Sequence, residues 1–220
     1  MDWLKWEQQF AAFLDEQMAT ADSAHDRTHI LRVVTMARQL ALAEAAQLAV
    51  VIPAAWLHDC VIVAKDSPDR HLASQWAAET AVSFLARAGY PSEHLPAIQQ
   101  AIAAHSFTAA IAPQTLEAKV VRDADRLDAL GAIGIARCFV TGAHLGLPLY
   151  HSQEPFPLTR PADDRQYSLD HFYVKLLRLA EGMQTAAGRA EAQRRTEFMK
   201  RYLAELRREI GGRGEKVQGT

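Results

Sequence analysis

Cysteine is scarce in this chain of 220 residues: Cys60 and Cys138 are the only two, and they form no CxxC pair. That scarcity excludes a disulfide framework and a thiolate zinc site, and it fits a reducing compartment. Net charge is nearly absent as well. Lys and Arg number 24 against 26 Asp and Glu, a formal −2. No broad field therefore draws the chain to nucleic acid or to a membrane surface, and an anionic ligand has to be met by a local basic cluster. No stretch approaches the roughly 20 apolar residues of a membrane span. The opening MDWLKWEQQFAAFLDEQ carries charge throughout, where a secretory signal has an apolar core. The expectation is a cytoplasmic protein that binds neither a nucleic-acid polymer nor a membrane; on oligomeric state the sequence is silent.

Strand-like alternation is almost missing too, and what replaces it is helical period. Trp3, Trp6, Phe10, Phe13 and Leu14 recur at i, i+3, i+4 spacing, and so do Ile30, Val33, Val34, Ala37, Leu40 and Ala41. Further helical stretches are expected over 48–59, 72–88, 95–104, 115–140, 168–180 and 191–210, all supplied with alanine and leucine. Breakers separate them: SPDR from Ser67, AGYPSEH ending at His94, APQT from Ala112 and GLPL from Gly146. The segment 150–168, YHSQEPFPLTRPADDRQYS, is rich in Pro and polar residues. In a packed domain a connection of that length is a lid or a plain connector. There is no internal repeat. The implied fold is all-α, a compact multi-helix bundle in one domain over 1–210, with 211–220 as a flexible tail.

Some polar residues do not belong to such packing. In PAAWLHDCVIV, 53–63, His58 and Asp59 sit side by side inside an otherwise apolar run. A buried carboxylate costs several kcal/mol unless it shifts its pKa, meets a cation or coordinates a metal. In AHDRTHILRVV, His29 precedes the apolar face of its helix, with His25 one turn earlier. In KVVRDADRLDALGAIGIA, Asp125 and Asp128 are three apart and share a face. Imidazoles and carboxylates on separate inward-packing helices suit one divalent ion, Mn²⁺, Fe²⁺, Co²⁺, Ni²⁺ or Zn²⁺, with Mg²⁺ a further choice. Four protein ligands on an ion that prefers six leave room for water and substrate, which is the equipment of metal-assisted hydrolysis.

The order His29, then the His58-Asp59 doublet, then Asp125 in ADRLD resembles the signature of the HD-domain superfamily of metal-dependent phosphohydrolases. The flanking words HDRTHILRV, LHD, IAAHSF and DADRLDALGAIGIAR resemble a bacterial subgroup of predicted HD hydrolases, some similar to nucleotide pyrophosphohydrolases. The resemblance covers roughly residues 25–175. It implies an all-α core with His29, His58, Asp59 and Asp125 as metal ligands. One position departs from the pattern of several HD nucleotidases, which place a Glu four residues after the His of the doublet; Ile62 stands there. Asp59 or Asp128 is then the candidate to take a proton from the activated water. A second ion would need His25 or Asp26.

On the substrate side, Lys65 and Arg70 lie in the loop KDSPDRH just past the doublet, where they could meet a phosphate. Arg122 and Arg126 flank Asp125 and could pair with it or with a phosphate, and His105 ends the apolar stripe of Ile98 and Ile102 where it could contact substrate or leaving group. Each has a plainer reading: Asp125 paired to Arg122 or Arg126, Asp128 in a structural hydrogen bond, His105 a satisfied core histidine, Lys65 a solvated lysine; and the aromatic stripe of Trp3, Trp6 and Phe10 is core or a partner-facing patch. The implied activity is hydrolysis of a nucleotide, a nucleoside triphosphate on the resemblance, or of another small phosphate ester or anhydride, through a metal-activated water. Two alternatives stand beside it: a phosphodiesterase for a cyclic or signalling nucleotide, and a non-catalytic, metal-stabilised nucleotide-binding module, which Ile62 would favour.

Overall fold

Most of the apolar periodicity becomes helix among the described residues. The structure, a computed structural model, describes residues 1–18, 27–63, 67–106 and 108–211. Among these are nine α-helices and no strand: α1 (Trp3–Met18), α2 (Arg27–Glu44), α3 (Leu48–Leu57), α4 (Ala73–Arg87), α5 (Leu95–Ala103), α6 (Leu116–Leu127), α7 (Gly131–His144), α8 (Asp170–Val174) and α9 (Ala186–Glu209). Short 3₁₀ segments cover Pro68–Leu72, Ser92–His94 and Leu176–Gly182. Among the described residues no helix is long and apolar enough to cross a membrane.

The chain divides into two compact units. The first comprises Met1–Asp128 together with Gln184–Gly188; the second comprises Ala129–Met183 and the chain from Arg189 onward. Helix α3 is the centre of the first unit, packed against α1, α2, α5 and α6. Every residue from Val50 to Leu57 is buried, and each large aliphatic among them contributes about 1.5–3 kcal/mol of apolar burial. Pro53 lies inside α3, has no N–H to donate, and so leaves the Ala49 carbonyl without its helical partner. The buried Tyr90 hydroxyl donates to that carbonyl at 2.7 Å. Helix α1 closes one side through its aromatic stripe: Phe10 is fully buried, Trp6 stacks on it, and Phe13 stacks on Phe84 with ring centroids 4.1 Å apart. The stripe is core.

Two expected helices are broken. The stretch 115–140 splits at Asp128, which ends α6; Leu130 is extended, with φ −119° and ψ 160°, and Gly131 takes φ +73°. Glycine adopts that left-handed backbone without strain, and a Cβ there would also press to 3.2 Å from Cγ of Arg195. The stretch 168–180 is one short turn of α-helix and a 3₁₀ segment, divided at Lys175, where φ is −132°.

In the second unit Phe139, Phe172 and Tyr202 pack together. The segment 150–168 is irregular, as its composition implies, but internally bonded. The Glu154 carboxylate accepts from the Leu158, Thr159 and Arg160 amides and from the Thr159 hydroxyl. Arg160 forks onto the buried Asp170 at 2.5 and 2.7 Å. Of the expected tail, 212–220 lie outside the described residues.

Candidate metal centre

Three helices deliver the site. Helix α3 ends as its last turn reaches the doublet, and His58 is the capping residue. His58 is fully buried, and its Nδ1 bonds the Ala55 carbonyl at 2.8 Å. A carbonyl only accepts, so Nδ1 carries the proton and Nε2 keeps a lone pair. That Nε2 is buried without a hydrogen-bond partner and lies 3.6 Å from Oδ2 of Asp59 and 3.9 Å from Oδ1 of Asp125. A lone pair facing two carboxylates is repulsive unless a cation sits among them.

His29, in the first turn of α2, repeats the device with a side chain in place of a carbonyl. Its Nδ1 meets Oδ2 of Asp128 at 2.7 Å, and its Nε2 lies 3.4 Å from Oδ1 of Asp125. Asp128 also accepts from Arg32, at 2.6 Å from Nε and 3.0 Å from Nη2. A carboxylate behind a ligating histidine holds the tautomer and the ring angle. His105, which follows α5, resembles His58: its Nδ1 bonds the Ile102 carbonyl at 2.6 Å, and its Nε2 is 3.4 Å from Oδ1 of Asp59.

Ligand atoms of His29, His58 and Asp125 all lie within 4.8 Å of one another, and so do those of His58, Asp59 and His105. Nitrogen and oxygen donors at that separation could hold a divalent ion. Protonation follows the same geometry. Burial pulls His29 down, but the Asp125 and Asp128 carboxylates outweigh it and raise the imidazole to about 9. Burial lowers His58 despite Asp59 beside it. Burial would likewise lower His105, but its bond to Asp59 turns the shift upward. Burial would raise Asp125, yet His29 and the neighbouring imidazoles hold it down.

The HD-domain family matches residues 27–130, a span that includes every member of this cluster. Over 213 residues the chain is 32% identical to the Bacillus subtilis protein YpgQ, covering 95% of this chain and 96% of that one. The chain belongs to the HD-domain superfamily. Solved relatives agree. A crystal structure of an HD-superfamily hydrolase from Bacillus thuringiensis matches with a TM-score of 0.74 and 31% identity, over 97% of this chain and all of that one. YpgQ crystallised with ADP matches at 0.69 and 33%, over 93% and 96% of the two chains.

Beside the HD cluster opens a recess lined by Asp59, Val61, Val63, Arg70, Ala73, Ser74, His105, Ser106 and Thr108. Arg70 donates to the Val63 carbonyl at 2.8 Å, and no carboxylate among the described residues pairs with it. Lys65, His25 and Asp26 lie outside the described residues. Arg126 does not line the recess; its guanidinium is half-buried on α6, and burial and the charge of Arg122 depress its pKa. Arg122 reaches the Ile111 carbonyl at 3.4 Å. Arg32 is the residue that the sequence reading missed. It stands three after His29, which places it on the same helix face, and that spacing was the available signal.

Proposed function

We propose that the chain is a metal-dependent phosphohydrolase acting on a nucleotide, a nucleoside triphosphate in first place, or on another small phosphate ester or anhydride. The observation that carries this is the buried, unpartnered Nε2 of His58 facing Asp59 and Asp125. His29, His58, Asp59 and Asp125 would hold the ion, with His105 adjoining. A divalent ion there supplies polarisation of a phosphoryl oxygen and acidification of water. The YpgQ complex with ADP supports a nucleotide as ligand.

Asp128 has both oxygens engaged by His29 and Arg32 and is almost fully buried, so its part is to orient His29. Asp59, with 30% of its side chain exposed, is then the carboxylate able to accept the proton of the attacking water. The water oxygen bonds to phosphorus as the phosphorus–oxygen bond to the leaving group breaks, and the leaving oxygen keeps the electron pair. His105 faces the same carboxylate, its Nε2 3.4 Å from Oδ1 of Asp59. Arg70 meets substrate phosphate from the recess, with Lys65 a further cation for it, while Arg126, outside that recess, flanks Asp125.

The test is a panel of phosphorylated substrates assayed with each metal, with Asp125→Ala as control. Turnover in the parent and at least a roughly 100-fold loss in the variant are expected. An equally active variant removes Asp125 from the site. Release of pyrophosphate, inorganic phosphate or a linear nucleotide names the reaction. Chelation that abolishes turnover while helicity survives separates catalysis from a structural ion.

A further inference from the structure

Two residues before Asp125 on α6 stands a second carboxylate that the reaction does not use. Asp123 is fully buried, and it faces away from the metal cluster, since two positions along a helix turn the side chain by about 200°. Its oxygens accept from the Gln184 amide at 2.9 and 3.1 Å, from the Thr185 amide at 2.8 Å and from the Thr185 hydroxyl at 2.8 Å. The same hydroxyl accepts from the Gly188 amide at 3.0 Å, capping the start of α9. Gly188 has to be glycine, because a Cβ there would fall 2.4 Å from Oδ2 of Asp123 and 2.7 Å from Oγ1 of Thr185.

The short segment that binds Asp123 also binds the other ligand-bearing helix. The Ala187 amide donates to Oε1 of Glu44 at 2.6 Å, and Glu44 is the last residue of α2, the helix that begins beside His29. Gln184–Gly188 thus bridges α2 and α6, which together carry His29, Asp125 and Asp128. It belongs to the first unit although 55 residues of the second precede it in the chain.

The geometry points to Gln184–Gly188 as a clasp, with Asp123 and Thr185 as positioning residues that fix the spacing of α2 and α6 and so the His29–Asp125 separation. This rests on the metal reading of the site. A ligand pair now set at 3.4 Å suits a common ion only while the helices hold their register, and small misplacements are costly in such sites.

The clasp is tested on the full chain with Mn²⁺ alone, by calorimetry and by the visible spectrum of the Co²⁺-loaded protein, with helicity followed in parallel. Thr185→Val keeps the shape and removes the hydroxyl; it should bind Mn²⁺ on the order of 10-fold more weakly with parental helicity and shift the Co²⁺ bands. Thr185→Ser, which restores the hydroxyl, should return to near the parental value. Asp123→Asn should lose more than Thr185→Val. If it does not fold, the Thr185 pair still decides. Parental Mn²⁺ affinity and an unchanged Co²⁺ spectrum in Thr185→Val overturn the clasp and leave the metal site standing. A parent that binds no divalent ion overturns the metal reading itself, and the clasp with it.

Discussion

Replacing Asp128 with Asn tests the orientation of His29 directly. The change is nearly isosteric, removes the charge that faces His29 and Arg32, and sets an amide N–H₂ against a donor. Breaking a buried pair by removing one partner costs about 3–5 kcal/mol. Arg32 is 34% exposed, so water recovers part of its solvation, and a loss of about 2 kcal/mol is the reasonable magnitude. At about 2–4 °C per kcal/mol for a chain of this size, the metal-free variant should melt about 4–8 °C lower. Metal affinity should fall about 10- to 100-fold, as for other carboxylates behind ligating histidines.

The two losses separate in one experiment. At Mn²⁺ equal to 100 times the parental Kd, the parent gains about 2.7 kcal/mol from binding, whereas a variant with 30-fold weaker affinity gains only about 0.9. Thermal melts with and without Mn²⁺ should therefore show a smaller metal-induced rise in Asp128→Asn than in the parent. Arg32→Met is the control, because it keeps the His29–Asp128 bond; it should lose stability while keeping most of the Mn²⁺-induced rise. If Asp128→Asn retains the full parental rise, Asp128 does not orient a ligand and the reasoning is wrong.

Tyr90→Phe deletes the hydroxyl that satisfies the carbonyl left open by Pro53; leaving that buried acceptor unmet should cost about 1–3 kcal/mol, read from denaturant midpoints. Loss of less than about 0.3 kcal/mol would show that another donor reaches Ala49. Burial pushes the Cys60 thiol up to about 12 and Cys138 to about 11, so thiolate is scarce at pH 8 and rises with pH. Native iodoacetamide alkylation of Cys138 should then run roughly 100-fold slower than in denaturant, and of Cys60 slower still; equal rates in the two conditions would refute the assigned burial.

Local pattern reached the site further than the fold around it. The doublet was legible because His58 and Asp59 follow directly on an apolar run that becomes buried helix up to Leu57, and polar groups at that depth demand a partner. His29 and Asp125 were legible through motif order. Asp128 was placed on the right face by its spacing from Asp125, but helical period says which way a side chain points and not what it finds there. Whether it accepts a proton or orients a ring depends on how α2 meets α6, which puts Arg32, 96 residues away, against it. The break at Asp128 was hidden for a similar reason. Gly131 reads as a tolerable helix residue until its positive φ and the neighbouring Arg195 are known. Asp123 was least legible of all: in VVRDAD it looks like another helix carboxylate, and its donors come from residues 61 and 62 positions later. Candidate ligands announce themselves because their chemistry conflicts with their local surroundings. Groups that hold ligands in place conflict with nothing nearby, and only long-range packing identifies them.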